Sequence, residues 1–165
     1  MKKLLLLTLG LAALSACKKN NDNAPATPGS ADLLVAKNWQ VTAQTYSVSS
    51  AVLNGGAPLT TDVYATYYTT PCRADNFITF NSNNTLLADE GALKCSAADP
   101  QTKSGTWSFN SDKTKLTMAD PSTGGTPVPF DIITLSASTL RLRNTIVTNG
   151  GVVITNVNEI TFTAK

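Results

Sequence analysis

The feature that most constrains this chain is a series of short segments with period-two alternation, joined by turns that are too short to hold a helix. In the first segment Trp39, Val41 and Ala43 alternate with polar neighbours. Connections such as residues 136–138 cannot contain the crossover that parallel strands require. Consecutive strands are therefore expected to be antiparallel, which excludes parallel and doubly wound folds.

Turn-forming residues divide the chain after Asn38 into eight predicted strands. Eight antiparallel strands in meander order leave exposed edges unless the sheet closes, and closure gives an up-and-down barrel. We therefore predict an all-β, eight-stranded antiparallel up-and-down barrel, with a two-sheet sandwich as the alternative. Ser30 as a cap and Asp32 in the first turn predict a short N-terminal helix before the barrel. The predicted strands are Trp39–Val48, Asn76–Phe80, Thr85–Glu90, Ser104–Phe109, Thr114–Met118, Val128–Leu135, Thr139–Ile146 and Val152–Thr163.

The first residues have the pattern of a targeting signal. Two lysines precede an apolar stretch at residues 4–14, which is shorter than the roughly 20 residues that a membrane-spanning helix needs. The sequence Leu14-Ser15-Ala16-Cys17 resembles a bacterial lipoprotein signal, in which cleavage before the cysteine is coupled to its acylation. An ordinary secretory signal with a chance cysteine is the alternative. We predict a signal peptide at residues 1–16 and lipid attachment at Cys17.

The segment after the cysteine has the composition of a linker. Residues 17–30 contain two prolines, one glycine and no large apolar residue, so we predict a flexible tether there and a barrel domain at residues 31–165. The resemblance implies a lipid-anchored protein of the cell envelope, whose partner is the membrane. The lack of Asp directly after Cys17 resembles a signal for the outer membrane.

The charge balance does not support nucleic-acid binding. The chain carries 13 basic and 11 acidic side chains, and Lys2 and Lys3 of the predicted signal account for the difference. No basic run follows Lys18 and Lys19, whereas nucleic-acid surfaces need clustered positive charge. We therefore expect no nucleic-acid partner.

Histidine is absent, which excludes catalytic schemes with an imidazole base and zinc sites with imidazole ligands. Asp89 and Glu90 are adjacent, but neighbours on a strand point to opposite faces and cannot share a site. No Gly-x-Ser-x-Gly elbow, phosphate-binding loop, dinucleotide motif or calcium loop occurs. We therefore predict that the protein is not an enzyme and has no catalytic residues, no metal site and no cofactor.

Cys72 and Cys95 remain as an even pair once Cys17 is assigned to the lipid. In a protein exported from the cytoplasm such a pair is expected to form a disulfide. Buried free thiols or a redox pair are the alternatives, although the Cys-x-x-Cys spacing of redox sites is absent. We predict a structural disulfide between Cys72 and Cys95.

A long insertion at residues 49–70 separates the first two predicted strands. It is rich in Ser, Thr and Gly and contains Tyr64, Tyr67 and Tyr68. Because this aromatic content argues against disorder, we predict a packed lid over one barrel end, with the tyrosines facing inward or toward a ligand. The alternative is that the tyrosines plug the barrel end as part of the core.

An ordered set of residues points to a known family. On Trp39, Cys72, Asp75, Phe80, Cys95, Gly105 and Trp107 the chain resembles the lipocalin-like lipoprotein family of Gram-negative bacteria. Asn38 stands where a Gly-Thr pair often precedes the first tryptophan, and the tyrosine-rich insertion is not part of the family pattern. The resemblance implies an eight-stranded calyx and, by analogy with lipocalins, binding of a small hydrophobic or amphipathic ligand.

Apolar inward positions do not distinguish a cavity from a filled core, because eight strands leave an interior that side chains can just fill. Both interpretations are therefore kept. The alternative function is a surface interaction module with a filled barrel, which binds a glycan or protein through its long loop and Thr-rich face. For a barrel with a cavity, the candidate ligand-lining residues are Trp39, Tyr64, Tyr67, Tyr68, Phe80, Trp107, Phe130 and Leu142.

Overall fold

The computed structural model describes residues 30–35, 37–120 and 125–165. The predicted signal peptide at residues 1–16, the lipid attachment site Cys17 and the tether as far as residue 29 lie outside this part of the chain. Within the described ranges, no helix is both long and apolar enough to cross a membrane.

Antiparallel strands dominate the described residues. The helical segments are α1 at Ser30–Val35, a 3₁₀ turn at Asn54–Gly56, a π-helical turn at Tyr64–Tyr68 and α2 at Pro71–Ala74. The strands are β1 at Asn38–Ser50, β2 at Leu59–Asp62, β3 at Phe77–Phe80, β4 at Thr85–Asp89, β5 at Thr102–Phe109, β6 at Lys115–Ala119, β7 at Val128–Leu135, β8 at Thr139–Asn149 and β9 at Val153–Ala164.

The sheet closes because its last strand pairs with β1. The strand order is β2-β1-β3-β4-β5-β6-β7-β8-β9, and β9 pairs with β1 from Trp39↔Ala164 to Ser50↔Ile154. Strands β1 and β3 to β9 thus form a closed, eight-stranded antiparallel barrel in up-and-down order. The predicted fold is confirmed, and the sandwich alternative is wrong.

The remaining strand, β2, comes from the insertion at residues 49–70. It pairs with the far half of β1, from Thr45↔Asp62 to Val48↔Leu59. The prediction that the whole insertion forms a lid was therefore wrong, since its first part extends the sheet as a hairpin. The cause is that β3 pairs with β1 only at Asn38 and Trp39, which leaves the far edge of β1 available for another strand.

Side chains fill the end of the barrel next to α1. Leu34 and Trp39 are fully buried, and the Trp39 indole N–H donates a hydrogen bond to the Leu34 carbonyl at 2.8 Å. Trp107 packs edge-on against Phe80, with ring centroids 5.6 Å apart, and against Phe109 at 5.5 Å. These side chains bury apolar area, which is the main stabilising contribution for a small domain.

The arginines of β8 lie on the outer face of the barrel. Leu140 and Leu142 are buried, so strand alternation directs Arg141 and Arg143 outward. Both arginines pair with Glu159 on β9, with an Arg143 Nη2 to Glu159 Oε2 distance of 2.9 Å. Although burial favours the neutral acid, the hydrogen bonds from Arg143 and Arg141 lower the pKa of Glu159.

Cys72 and Cys95 form the predicted disulfide, with their Cα atoms 5.0 Å apart. The bond joins α2 to the loop between β4 and β5, so the free-thiol alternative is wrong. This loop has only short turns of its own, and the covalent link holds it against the segment that leads into β3.

Hydrogen bonds also link the end of α2 to the loop between β4 and β5. Asp75 Oδ2 accepts hydrogen bonds from the backbone N–H groups of Ala92 at 2.6 Å and Leu93 at 2.9 Å. Gly91 has a φ of +68°, and a Cβ at this position would lie 2.6 Å from the Asp75 carboxylate, so glycine is required. The hydrogen bond from Leu93, helped by the one from Ala92, lowers the pKa of Asp75.

Reduction of the disulfide is expected to destabilise the domain. Closing the loop between Cys72 and Cys95 limits the unfolded chain, which corresponds to roughly 3 kcal/mol in the free energy of unfolding. We predict that urea unfolding of the reduced protein, and of the Cys72→Ala/Cys95→Ala variant, has a lower midpoint than unfolding of the oxidised protein. Identical midpoints for the oxidised and reduced forms would contradict this role.

The Asp75 carboxylate makes stability depend on pH. The pKa of Asp75 is lower in the folded state than in the unfolded state. The ionised carboxylate therefore stabilises the fold above the ordinary carboxyl pKa of about 3.9, and this stabilisation is lost as the pH falls through the folded-state pKa. We predict that Asp75→Asn lowers the thermal midpoint at pH 7 and makes its fall below about pH 4 shallower than in the wild type. Parallel pH profiles for the two proteins would contradict the assignment.

Candidate functional site

A cavity of about 620 Å³ lies between the filled closed end and the π-helical turn. It reaches the end of the barrel where β4 and β6 finish and where β5 and β7 begin, and we call this end the mouth. The interior is therefore filled at one end and open at the other, which resolves the choice between a cavity and a filled core.

The floor of the cavity is apolar. Its residues project inward from strands around the barrel, because alternate side chains of every strand point to the interior. Trp39 lies deepest on β1, where it is fully buried, and Phe130 contributes from β7. The inward apolar residues of the wall are Trp39, Val41, Ile78, Leu86, Ala88, Met118, Val128, Phe130, Ile160 and Phe162. Phe77 at the start of β3 and Val63 before the π-helical turn also line the cavity.

One side of the cavity wall near the mouth carries three uncharged amides: Gln44 on β1, Asn158 on β9 and Asn144 on β8. The Gln44 amide Nε2 donates to Asn158 Oδ1 at 2.9 Å, and Asn144 Nδ2 donates to the Pro129 carbonyl at 2.8 Å. Asn144 and Asn158 are direct partners in the β8–β9 ladder. These three neighbouring strands therefore present a continuous amide surface, which we call the amide wall.

Two tyrosines of the π-helical turn line the cavity. Tyr67 and Tyr68 face it, and their rings meet edge-on with centroids 5.0 Å apart. The Arg73 guanidinium lies 3.9 Å from the Tyr67 ring centroid, a cation–π arrangement that links α2 to the turn. Asp62 Oδ1 accepts the Ala65 N–H at 2.9 Å and so fixes the start of the turn.

Burial is the main reason why the pKa of Tyr68 is raised, and the charges of Tyr67 and Asp120 act in the same direction. Tyr68 therefore keeps its hydroxyl proton at neutral pH and can donate a hydrogen bond toward the cavity.

The side of the mouth opposite the amide wall carries charges of both signs. The acidic lining residues are Asp89, Glu90, Asp99 and Asp120, and the basic ones are Arg73 and Lys103. Asp89 Oδ1 already accepts the Gly91 N–H at 2.8 Å and the Gln101 amide at 2.9 Å. Part of this charge therefore serves to hold the loop that borders the mouth.

The structure divides the eight candidate ligand-lining residues into two groups. Trp39, Tyr67, Tyr68 and Phe130 lie in the cavity wall. The other four lie outside it, which corrects the prediction for Tyr64, Phe80, Trp107 and Leu142.

The reason for the correction is depth along the strand. Phe80 and Trp107 point inward at the closed end, and Leu142 points inward opposite Ile160, but each of the three is buried within the packed core. Tyr64 stacks on Tyr68 with ring centroids 5.9 Å apart, so it supports a lining residue from behind.

Sequence reasoning missed the amide wall. Asn144 continues the inward series Leu140 and Leu142, so the two-residue period carried the signal. Gln44 could not be found in this way, because a register shift between Val41 and Ala43 changes which residues of β1 face inward.

The cavity has no arrangement of groups that is typical of a metal centre. In the part of the chain that the structure describes, no three Cys, Asp or Glu side chains converge to hold an ion.

Comparison with known proteins agrees with the geometry. No curated protein matches the chain. The model of one family, described as a lipocalin-like domain, matches residues 35–142, which is more than half of the chain and runs from the end of α1 into β8. The chain therefore belongs to the lipocalin-like domain family.

Proposed function

We propose that this barrel binds one small amphipathic molecule, with its apolar part on the floor and its polar part at the mouth. The observation that carries the proposal is the division of one cavity into an apolar floor around Trp39 and Phe130 and a polar upper part. A volume of about 620 Å³ lies within the range of roughly 300–1,000 Å³ for small-molecule sites.

The energetics favour an amphiphile over a purely apolar ligand. Burial of each CH₂ group contributes about 0.8 kcal/mol, so a chain of about ten carbons gains roughly 8 kcal/mol. Association itself costs an estimated 4–15 kcal/mol. The apolar contribution is thus largely offset, and useful affinity requires the polar contacts at the mouth.

The proposed role is binding without catalysis. Lipocalin-like domains are generally binding domains, and this chain has no histidine to act as a general base. Asp89, one of the mouth carboxylates, is engaged with Gly91 and Gln101 of its own loop. These features favour a carrier or receptor for the ligand.

We also propose that the mature protein is held in the cell envelope, at the outer membrane, by acyl chains on Cys17. The support is the sequence Leu14-Ser15-Ala16-Cys17 and the linker composition that follows it. Two or three acyl chains would give stable anchoring, whereas one gives only marginal binding.

Filling the cavity is expected to abolish binding. We predict that Val128→Trp, which adds an indole inside the cavity, weakens binding of 11-(dansylamino)undecanoic acid, an amphiphilic fluorescent probe, at least tenfold in a fluorescence titration. The matched control is Val147→Trp on β8, where the native side chain is 55% exposed and outside the cavity wall. Equal probe affinity in both variants would contradict the cavity as the binding site.

Lipid attachment is tested in cells that produce the protein. We predict that the wild-type chain incorporates an alkyne-labelled fatty acid and sediments with membranes, whereas Cys17→Ser does neither. Cys72 and Cys95 form a disulfide and provide no free thiol for the label. Unchanged labelling of Cys17→Ser would disprove attachment at this residue.

A second candidate function is supported by the tips of the β1–β2 and β8–β9 hairpins. Large aliphatic side chains are exposed there, including Val52, Leu59, Ile146 and Val153. No charged residue occurs in residues 45–61 or 144–158. Clusters of exposed apolar residues commonly mark interaction surfaces. We infer that these tips form the contact surface of an interaction module.

The tip surface is tested by crosslinking in the envelope. We predict that a photoreactive residue at position 153 crosslinks to an envelope component, whereas one at position 133, which is exposed on β7, does not. Equal crosslinking at the two positions would contradict a specific surface at the hairpin tips.

A further inference from the structure

We propose that the ligand's polar end is an uncharged, hydroxyl-rich head group, such as a sugar or another polyol, and that the amide wall recognises it. This inference rests on the proposed function, because it assigns a chemical class to the molecule in the same cavity. It is carried by three amide side chains that occupy inward positions of β1, β8 and β9, above the apolar floor.

The amide wall has hydrogen-bonding capacity left over. Gln44 uses its nitrogen on Asn158, and Asn144 uses its nitrogen on Pro129. Among the contacts between described residues, Gln44 Oε1 and Asn144 Oδ1 have no donor, and Asn158 Nδ2 has no acceptor. The wall therefore offers two acceptors and one amide donor side by side, and hydroxyl groups, which both donate and accept, match this mixture.

The same wall is electrically neutral. The charged residues of β8 and β9, Arg141, Arg143 and Glu159, lie on the outer face, where they pair with one another. An ionised head group placed against the amide wall would lose water without gaining an opposite charge, which is unfavourable. A hydroxyl-rich head loses less on transfer and regains its hydrogen bonds from the amides.

An aromatic ring borders the amides. Tyr46 lies directly opposite Asn158 in the β1–β9 ladder, on the same face as Gln44. Its hydroxyl donates to Asn156 Oδ1 at 2.7 Å, which fixes the ring while 40% of the residue remains exposed. The ring face supplies apolar contact for the C–H groups of a sugar, next to amides that bind its hydroxyls.

The test compares three amphiphiles that share a ten-carbon chain and differ in the head: decyl maltoside, decanoate and decyltrimethylammonium. Each is titrated below its micelle concentration by calorimetry into the full chain carrying Cys17→Ser, so that no attached acyl chain competes for the cavity. We predict that decyl maltoside binds at least tenfold more tightly than either charged amphiphile.

Two variants assign the preference to the amide wall. We predict that Gln44→Leu and Asn144→Leu each weaken decyl maltoside binding at least fivefold and change decanoate binding less than twofold. Unchanged decanoate binding shows that the cavity is intact in the variant. Asn149→Leu is the matched control, because it makes the same change on β8 at an exposed position outside the cavity wall.

The outcomes separate this inference from the proposed function. Equal affinities for the three heads, or a maltoside preference that the leucine variants leave unchanged, would overturn the amide wall as the recognition surface, with the binding cavity retained. Tightest binding of decyltrimethylammonium would overturn it in favour of the carboxylates across the mouth. Failure of all three amphiphiles to bind would overturn both proposals.

Discussion

The pairing of β1 with β9 is the interaction on which the rest of the structure depends. It converts a meander with two open edges into a barrel, and closure creates an interior that open sheets lack. The same ladder brings Gln44 next to Ile160 and Tyr46 next to Asn158, so it also assembles one side of the proposed site. Because these strands are long, they continue beyond the mouth and present the uncharged hairpin tips.

The barrel interior is divided by depth. At the closed end, α1 supplies Leu34 to cover Trp39, and aromatic packing around Trp107 leaves no room for a ligand. At the mouth, the short strand β3 is preceded by α2 and the short strand β4 is followed by a loop, rather than by more barrel wall, so the space stays open. The disulfide and Asp75 hold the loop between β4 and β5 in place, so the interactions that stabilise the fold also shape the mouth.

The sequence was sufficient for the barrel because short turns and two-residue alternation permit few other closed arrangements. It did not indicate β2, since pairing of Leu59–Asp62 depends on the free edge of β1 left by the short β3. The depth of Phe80 and Trp107 was also beyond the alternation pattern, which gives the face of a residue but not its height in the barrel. Gln44 escaped detection because the register shift after Val41 is a local backbone irregularity with no signal in composition.

In the proposed orientation, a ligand lies with its apolar tail against Trp39 and its head at the mouth. The most direct measurement is quenching of Trp39 emission in Trp107→Phe, which leaves Trp39 as the remaining tryptophan of the chain, by decyl amphiphiles that carry bromine either at the chain end or beside the head. We predict saturable quenching that is stronger for the chain-end bromide. Equal quenching by both bromides, or quenching that rises linearly without saturation, would contradict it.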